Sequence, residues 1–136
     1  MLTARSEELP VRASPDVVSV RQAVRGWCMG MGMGLVDLTK IVTAASEIAR
    51  NTLDYGLGGT VQLEELRDGL KVGIRLTFTD SGPGIKDVSR AMTDGYTSGG
   101  GMGLGLGGTK RLVDDFRITS APGSGTVVAL VKWKSR

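Results

Sequence analysis

Apolar residues recur along this chain with two periods, and the change from one to the other marks out its elements. Val17, Val20, Val24, Trp27 and Met31 follow at spacings of three and four, the period that stacks side chains on one face of an α-helix. Ser14 precedes this stripe as an N-cap hydroxyl, and Pro15 sits in the first turn, where a missing N–H costs nothing. The alternating glycines of 30–34 (GMGMG) end the helix, because glycine is a poor helix former and supplies the positive φ that a C-cap uses. A second stripe, Leu38, Ile41, Val42, Ala45, Ile48, Ala49 and Leu53, predicts another core-facing helix from about residue 36 to 54, with Gly56 just past its end.

Period two then takes over. Residues 60–66 and 70–79 flank the turn Arg67-Asp68-Gly69, and the second run alternates as Leu70, Val72, Ile74, Leu76 and Phe78, which predicts a hairpin with one buried face. Residues 7–13 read as an edge strand that tolerates Pro10. Beyond the hairpin the pattern predicts a short helix over 86–93, a helix over 109–116, a strand over 117–121, a turn at Pro122-Gly123-Ser124-Gly125 and a closing strand over 126–133. Such an order gives an α+β two-layer sandwich, with helices on one face of a mixed, mainly antiparallel sheet.

A length of 136 residues with 40% hydrophobic content suits one domain over 1–136 with a single core. The chain holds no run of eighteen apolar residues, and MLTARSEELP lacks the apolar core of a signal peptide, so a cytoplasmic protein without a membrane segment is expected. The one cysteine, Cys28, excludes an internal disulfide and lies among apolar residues, where a buried structural thiol is expected. With no histidine, Ser-His-Asp chemistry, histidine metal sites and histidine autophosphorylation are all removed. Acid–base work falls to carboxylates or lysine. The net charge of +3 is scattered, and with two Trp, two Tyr and two Phe there is little on which bases could stack. Nucleic-acid binding through Lys132, Lys134 and Arg136 therefore ranks well behind the readings below.

Three local patterns carry candidate chemistry. Glu47 and Asn51 lie four apart on the second helix, hence on one face. They are either an ordinary polar face or a pair in which Asn51 offers oxygen to Mg²⁺ while Glu47 takes a proton. Asp80-Ser81-Gly82-Pro83-Gly84-Ile85 follows the strongest strand. It is either a tight turn or a carboxylate that accepts from an exocyclic amine, beside glycines that let backbone approach a flat base. The run Gly99-Gly100-Gly101-Met102-Gly103-Leu104-Gly105-Leu106-Gly107-Gly108 interleaves apolar residues that a solvated linker would lack, and it leads into a helix. Unobstructed N–H groups and a positive dipole end suit phosphate there. Gly103, Gly105 and Gly108 meet the G-x-G-x-x-G spacing of a dinucleotide fold, but no strand precedes them. Thr109-Lys110 has the reverse of the order a P-loop requires.

In order, E-x-x-x-N, D-x-G-x-G, the glycine lid and the GSGT before the last strand resemble the N, G1 and G2 boxes of the GHKL ATPase/kinase superfamily over about residues 15–133. The resemblance implies the Bergerat fold, with ATP and Mg²⁺ as cofactors. It implies Glu47 as general base, Asn51 on the metal and Asp80 on the adenine amino group. Gly82, Gly84 and Ile85 would line the base pocket, and Gly99, Gly100, Gly101, Met102, Gly103, Leu104 and Gly105 the phosphate lid. Thr126 would support an adenine-side water.

No histidine-bearing dimerisation domain is expected before the module and no transducer domain after it, a reading that fits sensor kinases, gyrase-like and chaperone-like members poorly. LVDLTKIVTAASEIARN, GGGMGLGLGGTKRLVDDF and TVVALVKWK look most like the RsbT-type switch serine/threonine kinases. That resemblance implies phosphorylation of a serine or threonine on a STAS-domain scaffold or antagonist protein, with a phosphatase or a sigma factor as a further partner. Some anti-sigma kinases carry an arginine just before the lid glycines, where this chain has Gly99, Gly100 and Gly101, which favours the switch-kinase branch. Lys110 and Arg111 stand either as cations for the γ-phosphate or as surface residues. The alternative function is an anti-sigma protein that sequesters its partner, with nucleotide as a structural switch.

Overall fold

Period-two and period-three-to-four segments fold here into two layers. A computed structural model describes residues 1–85, 92 and 105–135. Its elements are β1 (Leu2–Val11), α1 (Ser14–Gly30), α2 (Leu35–Asp54), β2 (Gly59–Asp68), β3 (Lys71–Asp80), α3 (Gly105–Lys110), β4 (Asp115–Ser120) and β5 (Thr126–Trp133). The strands form one sheet in the order β1-β2-β3-β5-β4, and each neighbouring pair is antiparallel, so the parallel component of the expected mixed sheet is absent among the described residues.

Alternation decides which face is covered. Val61 opposes Phe78 and Leu63 opposes Leu76 across the hairpin, while Phe78 and Leu76 oppose Val128 and Leu130 on β5. These residues join Val17, Val20, Val24, Ile41, Ala45 and Ile48 of α1 and α2 in one core. Leu63, Leu76 and Leu130 are wholly buried, each worth about 1.5–3 kcal/mol of transfer free energy. No helix among the described residues is long and apolar enough to cross a membrane.

Several boundaries differ from the sequence pattern, each for a local reason. β1 spans Leu2–Val11 rather than 7–13, because pairing with β2 from Leu2↔Arg67 to Val11↔Gly59 holds it while few of its side chains are buried. The N-cap of α1 is Ala13, not Ser14; the Asp16 carboxylate accepts the N–H groups of Arg12 and Ala13 at 2.9 and 3.1 Å and satisfies that end instead. Leu70 is not on the buried face of β3 but in the hairpin turn after Gly69, 94% exposed. The helix expected over 109–116 ends at Lys110, and Asp115 already begins β4. The Asp114 N–H donates to the Val131 carbonyl at 2.9 Å and draws the chain into the sheet, where Phe116 and Ile118 alternate inward. The helix expected over 86–93 lies outside the described residues apart from Met92.

One polar cluster closes the far end of the sandwich. Lys132, 7% exposed, places Nζ 3.4 Å from Asp37 on α2 and 3.6 Å from Asp114. The Ser135 N–H donates to Asp37 at 3.0 Å, and the Trp133 N–H to Asp114 at 2.7 Å. Ser135 first, and the Lys132 ammonium after it, hold the Asp37 carboxyl below its usual range. Lys132 is thereby committed to the fold, which removes it from the set of cations proposed for nucleic acid.

Candidate functional site

The strongest strand, β3, ends at Asp80, and antiparallel registry lines Asp80 up with Gly59 on β2 and Thr126 on β5. Its Oδ1 accepts the Gly82 N–H at 3.0 Å and the Thr126 N–H at 3.2 Å. Two backbone donors on one oxygen fix the carboxylate in orientation. Oδ2 takes no protein hydrogen bond among the described residues and packs against Gly56, where a Cβ would strike Oδ2 and Cγ and lie 2.7 Å from the Asp80 Cβ. A carboxylate so held is an acceptor with one oxygen left, suited to an amine hydrogen and not to another carbonyl.

The glycines around it are required by close approach. A Cβ on Gly82 would come within 2.7 Å of the Gly56 carbonyl oxygen, and one on Gly84, whose φ is +77°, would collide with the Ala121 carbonyl. Gly125, at φ +75°, lies against the Asp80 carbonyl with no room for a side chain. The D-x-G-x-G segment and the GSGT turn are thus pressed together, and the Gly123 N–H donates to the Pro83 carbonyl at 2.7 Å.

Ser120 ties the two segments together. Its hydroxyl oxygen accepts the Ile85 N–H at 2.8 Å, and it lies 3.1 Å from the Gly125 carbonyl and 2.8 Å from the Thr126 hydroxyl. Gly82 and Thr126 therefore bond Asp80 directly, while Gly84 meets Ala121 and Ile85 meets Ser120 beside them. In the sequence Gly56 reads as a helix stop and Ser120 belongs to no motif. The alternation Phe116, Ile118, Ser120 was the signal that Ser120 faces inward.

α2, the helix that carries the first motif, runs toward the same end of the sheet. Its last turns run through Glu47 and Asn51, both half-buried, and the Asn51 carbonyl accepts the N–H groups of Tyr55 and Gly56 at 2.9 and 3.2 Å. Gly56 then touches Asp80, so the C-terminal end of α2 abuts the carboxylate directly. α3 packs against α2, burying Leu106 and Thr109; the Thr109 hydroxyl donates back to the Gly105 carbonyl at 2.8 Å. At Gly105 the glycine run thus enters a helix seated on the one that carries Glu47 and Asn51. Gly99, Gly100, Gly101, Met102, Gly103 and Leu104 lie outside the described residues. Lys110 and Arg111 are exposed.

Residues 36–136 match the family described as histidine kinase-, DNA gyrase B- and HSP90-like ATPase. The chain is 42% identical over 118 residues to the serine/threonine-protein kinase RsbT of Bacillus subtilis, spanning 87% of this chain and 89% of that protein. It is 31% identical over 127 residues to the anti-sigma F factor of Pasteuria penetrans, spanning 88% of this chain and 83% of that protein. Among solved structures, one holding the RsbU and RsbW domains of a Mycobacterium tuberculosis protein superposes with a TM-score of 0.68 at 23% identity. That match covers 98% of this chain and 33% of the other.

Proposed function

We propose, from the premise that this chain belongs to the histidine kinase-, DNA gyrase B- and HSP90-like ATPase family and has its Bergerat fold, that it is a serine/threonine protein kinase of the RsbT type, acting as a switch in sigma-factor regulation. The family is one of ATPases, and ATP is the nucleotide. The observation that carries the reading is Asp80: one oxygen is saturated by two backbone N–H groups, the other is left to an amine, and the E-x-x-x-N helix ends against it.

Asp80 accepts the adenine amino group, Gly82, Gly84 and Ile85 border the base, and Thr126 holds the water beside it. Asn51 is the protein ligand for Mg²⁺. A single side-chain oxygen from the protein would suit that ion. By motif order Gly99 to Gly105 would be the phosphate-binding run, of which only Gly105 lies among the described residues. When bound, Mg·ATP supplies the γ-phosphoryl group and the cationic charge that offsets its oxygens. Glu47, one turn before Asn51 on the same face, receives the proton of the incoming hydroxyl. Positioning and charge stabilisation carry most of phosphoryl transfer, so a small domain suffices once the acceptor is seated. The acceptor is a serine or threonine of a STAS-domain scaffold or antagonist protein, whose docking completes the site.

The test is phosphate transfer from labelled ATP to a purified STAS-domain protein, with wild type beside Glu47→Gln. Transfer is expected to vanish in the variant while the nucleotide-induced melting shift persists; equal transfer by both would remove Glu47 from its role. The anti-sigma F relatives favour a second reading, capture of a sigma factor without its phosphorylation. Partner binding undiminished in Glu47→Gln, with no phosphoserine or phosphothreonine formed by the wild type, would support it.

A further inference from the structure

Four strands set one row of residues across the helix-side face of the sheet, just beyond the core. Gly59 on β2 opposes Asp80 on β3, Asp80 opposes Thr126 on β5, and Thr126 opposes Ser120 on β4. The row lies two residues past the core row of Val61, Phe78, Val128 and Ile118, so its side chains point the same way. Ser120 stands two strands from Asp80, and its hydroxyl reaches Thr126 instead.

The hydrogens available at that hydroxyl fix a direction. Serine has one hydrogen to donate. The Gly125 carbonyl, 3.1 Å away, can only accept, and it takes that hydrogen. The Ile85 N–H, at 2.8 Å, occupies one lone pair of Ser120 Oγ. The 2.8 Å contact between the two hydroxyls therefore runs from Thr126 to the other lone pair of Ser120. Thr126 thus has its only hydrogen turned toward β4, and no donor among the described residues bonds to its oxygen. Were the Ser120 hydrogen on Thr126 instead, the Gly125 carbonyl would lose this donor, and Thr126 would present a hydrogen to the site.

We infer that Ser120 is a positioning residue for nucleobase choice: it draws the Thr126 hydrogen away from the base and leaves the Thr126 oxygen, beside Asp80 Oδ2, as a second acceptor. Directly opposed strand partners hold their Cβ atoms about 4.5–5.5 Å apart, so the two acceptors serve one edge of one base. A 6-amino purine offers hydrogens to that edge, whether to the Thr126 oxygen itself or through the water beside it. A 6-oxo purine brings a carbonyl, whose lone pairs meet lone pairs. The inference rests on the nucleotide reading above and adds to it a residue one strand beyond Thr126.

The test compares Mg·ADP with the magnesium complex of inosine diphosphate, which differs only at purine position 6 and the adjoining ring nitrogen, by isothermal titration of the full chain. Wild type is expected to favour ADP. In Ser120→Ala the Thr126 hydrogen is released toward the site, and the preference for ADP should fall about fivefold or more, the change expected from about one hydrogen bond. Ser120→Thr keeps the hydroxyl and should keep the preference. A merely structural Ser120 would weaken both nucleotides alike, through the freed Ile85 N–H, and leave their ratio where it was. An unchanged ratio in Ser120→Ala, or the same fall in Ser120→Thr, with ADP still bound, overturns the inference and leaves the nucleotide reading standing. A wild type that binds neither nucleotide removes both. In the nucleotide-free chain the Ile85 amide proton should move upfield in Ser120→Ala and return in Ser120→Thr; no movement overturns the hydrogen-bond order on which the inference stands. Each variant is first checked for the wild-type Tm, and Ser120→Cys, whose thiol is a weak acceptor, replaces an alanine variant that fails to fold.

Discussion

Gly56→Ala is a one-methyl change whose cost falls on the Asp80 carboxylate. The Gly56 φ lies outside the left-handed region, so alanine is acceptable to the backbone and the effect is one of space alone. The new methyl would overlap Asp80 Oδ2 and Cγ and stand 2.7 Å from its Cβ, and with the Cβ involved no rotation about χ2 relieves the clash. Either the carboxylate leaves the Gly82 and Thr126 N–H groups, or the Gly56 backbone shifts, and that backbone already lies within 2.8 Å of where a Gly82 Cβ would sit. Overpacking costs about 1–3 kcal/mol, and hydrogen bonds to a charged group about 1.5–3 each, discounted here because Asp80 is half-exposed. A loss of about 2–3 kcal/mol is therefore expected, a fall in Tm on the order of 6–12 °C at this chain length. The assay is thermal melting with and without Mg·ATP and Mg·ADP. The stabilising shift, roughly 2.7 kcal/mol for wild type at a hundred times Kd, should shrink or vanish. A Gly56→Ala protein with wild-type Tm and a full nucleotide shift would refute the packing of α2's end against Asp80.

The same substitution at Gly26 should act with the opposite sign. It lies in the exposed interior of α1 with nothing within 4 Å of a Cβ, so alanine should stabilise by about 0.5–1 kcal/mol, read as a higher midpoint in urea. Lys132→Met should cost about 3 kcal/mol by leaving Asp37, 8% exposed, without its cation, and Asp37→Asn in the same chain should restore part of it. Because Asp37's folded pKa is depressed below its ordinary 3.8, its contribution is complete above that value and is lost as pH falls through the folded one; acid unfolding below about pH 4 should be shallower in Asp37→Asn. Cys28 is wholly buried, and burial pushes its thiol up to about 12, so alkylation at pH 8 should follow global unfolding; a fast fraction in the native protein would contradict that burial.

Elements whose burial is periodic, and residues whose chemistry is local, are legible in the chain alone. α1 and α2 show their apolar stripes, and β2 and β3 their alternation, because each buries one face along its whole length. The motif order, too, lies in the chain, and Gly82 and Thr126 bond Asp80 in the fold. Features that depend on a distant partner emerge in the folded chain. β1 extends to Leu2 because β2 offers it hydrogen bonds, and an edge strand with few buried side chains carries almost no pattern. Residues 111–116 look helical in isolation, but Val131 captures the Asp114 N–H and the sheet claims the segment. Lys132 reads as a surface cation until Asp37, 95 positions away, meets it in the interior. Gly56 reads as a helix stop until Asp80 is folded against it. Local pattern records how a residue is buried by its own element; contacts closed across the fold leave no periodic trace, since they depend on where two remote segments come to rest.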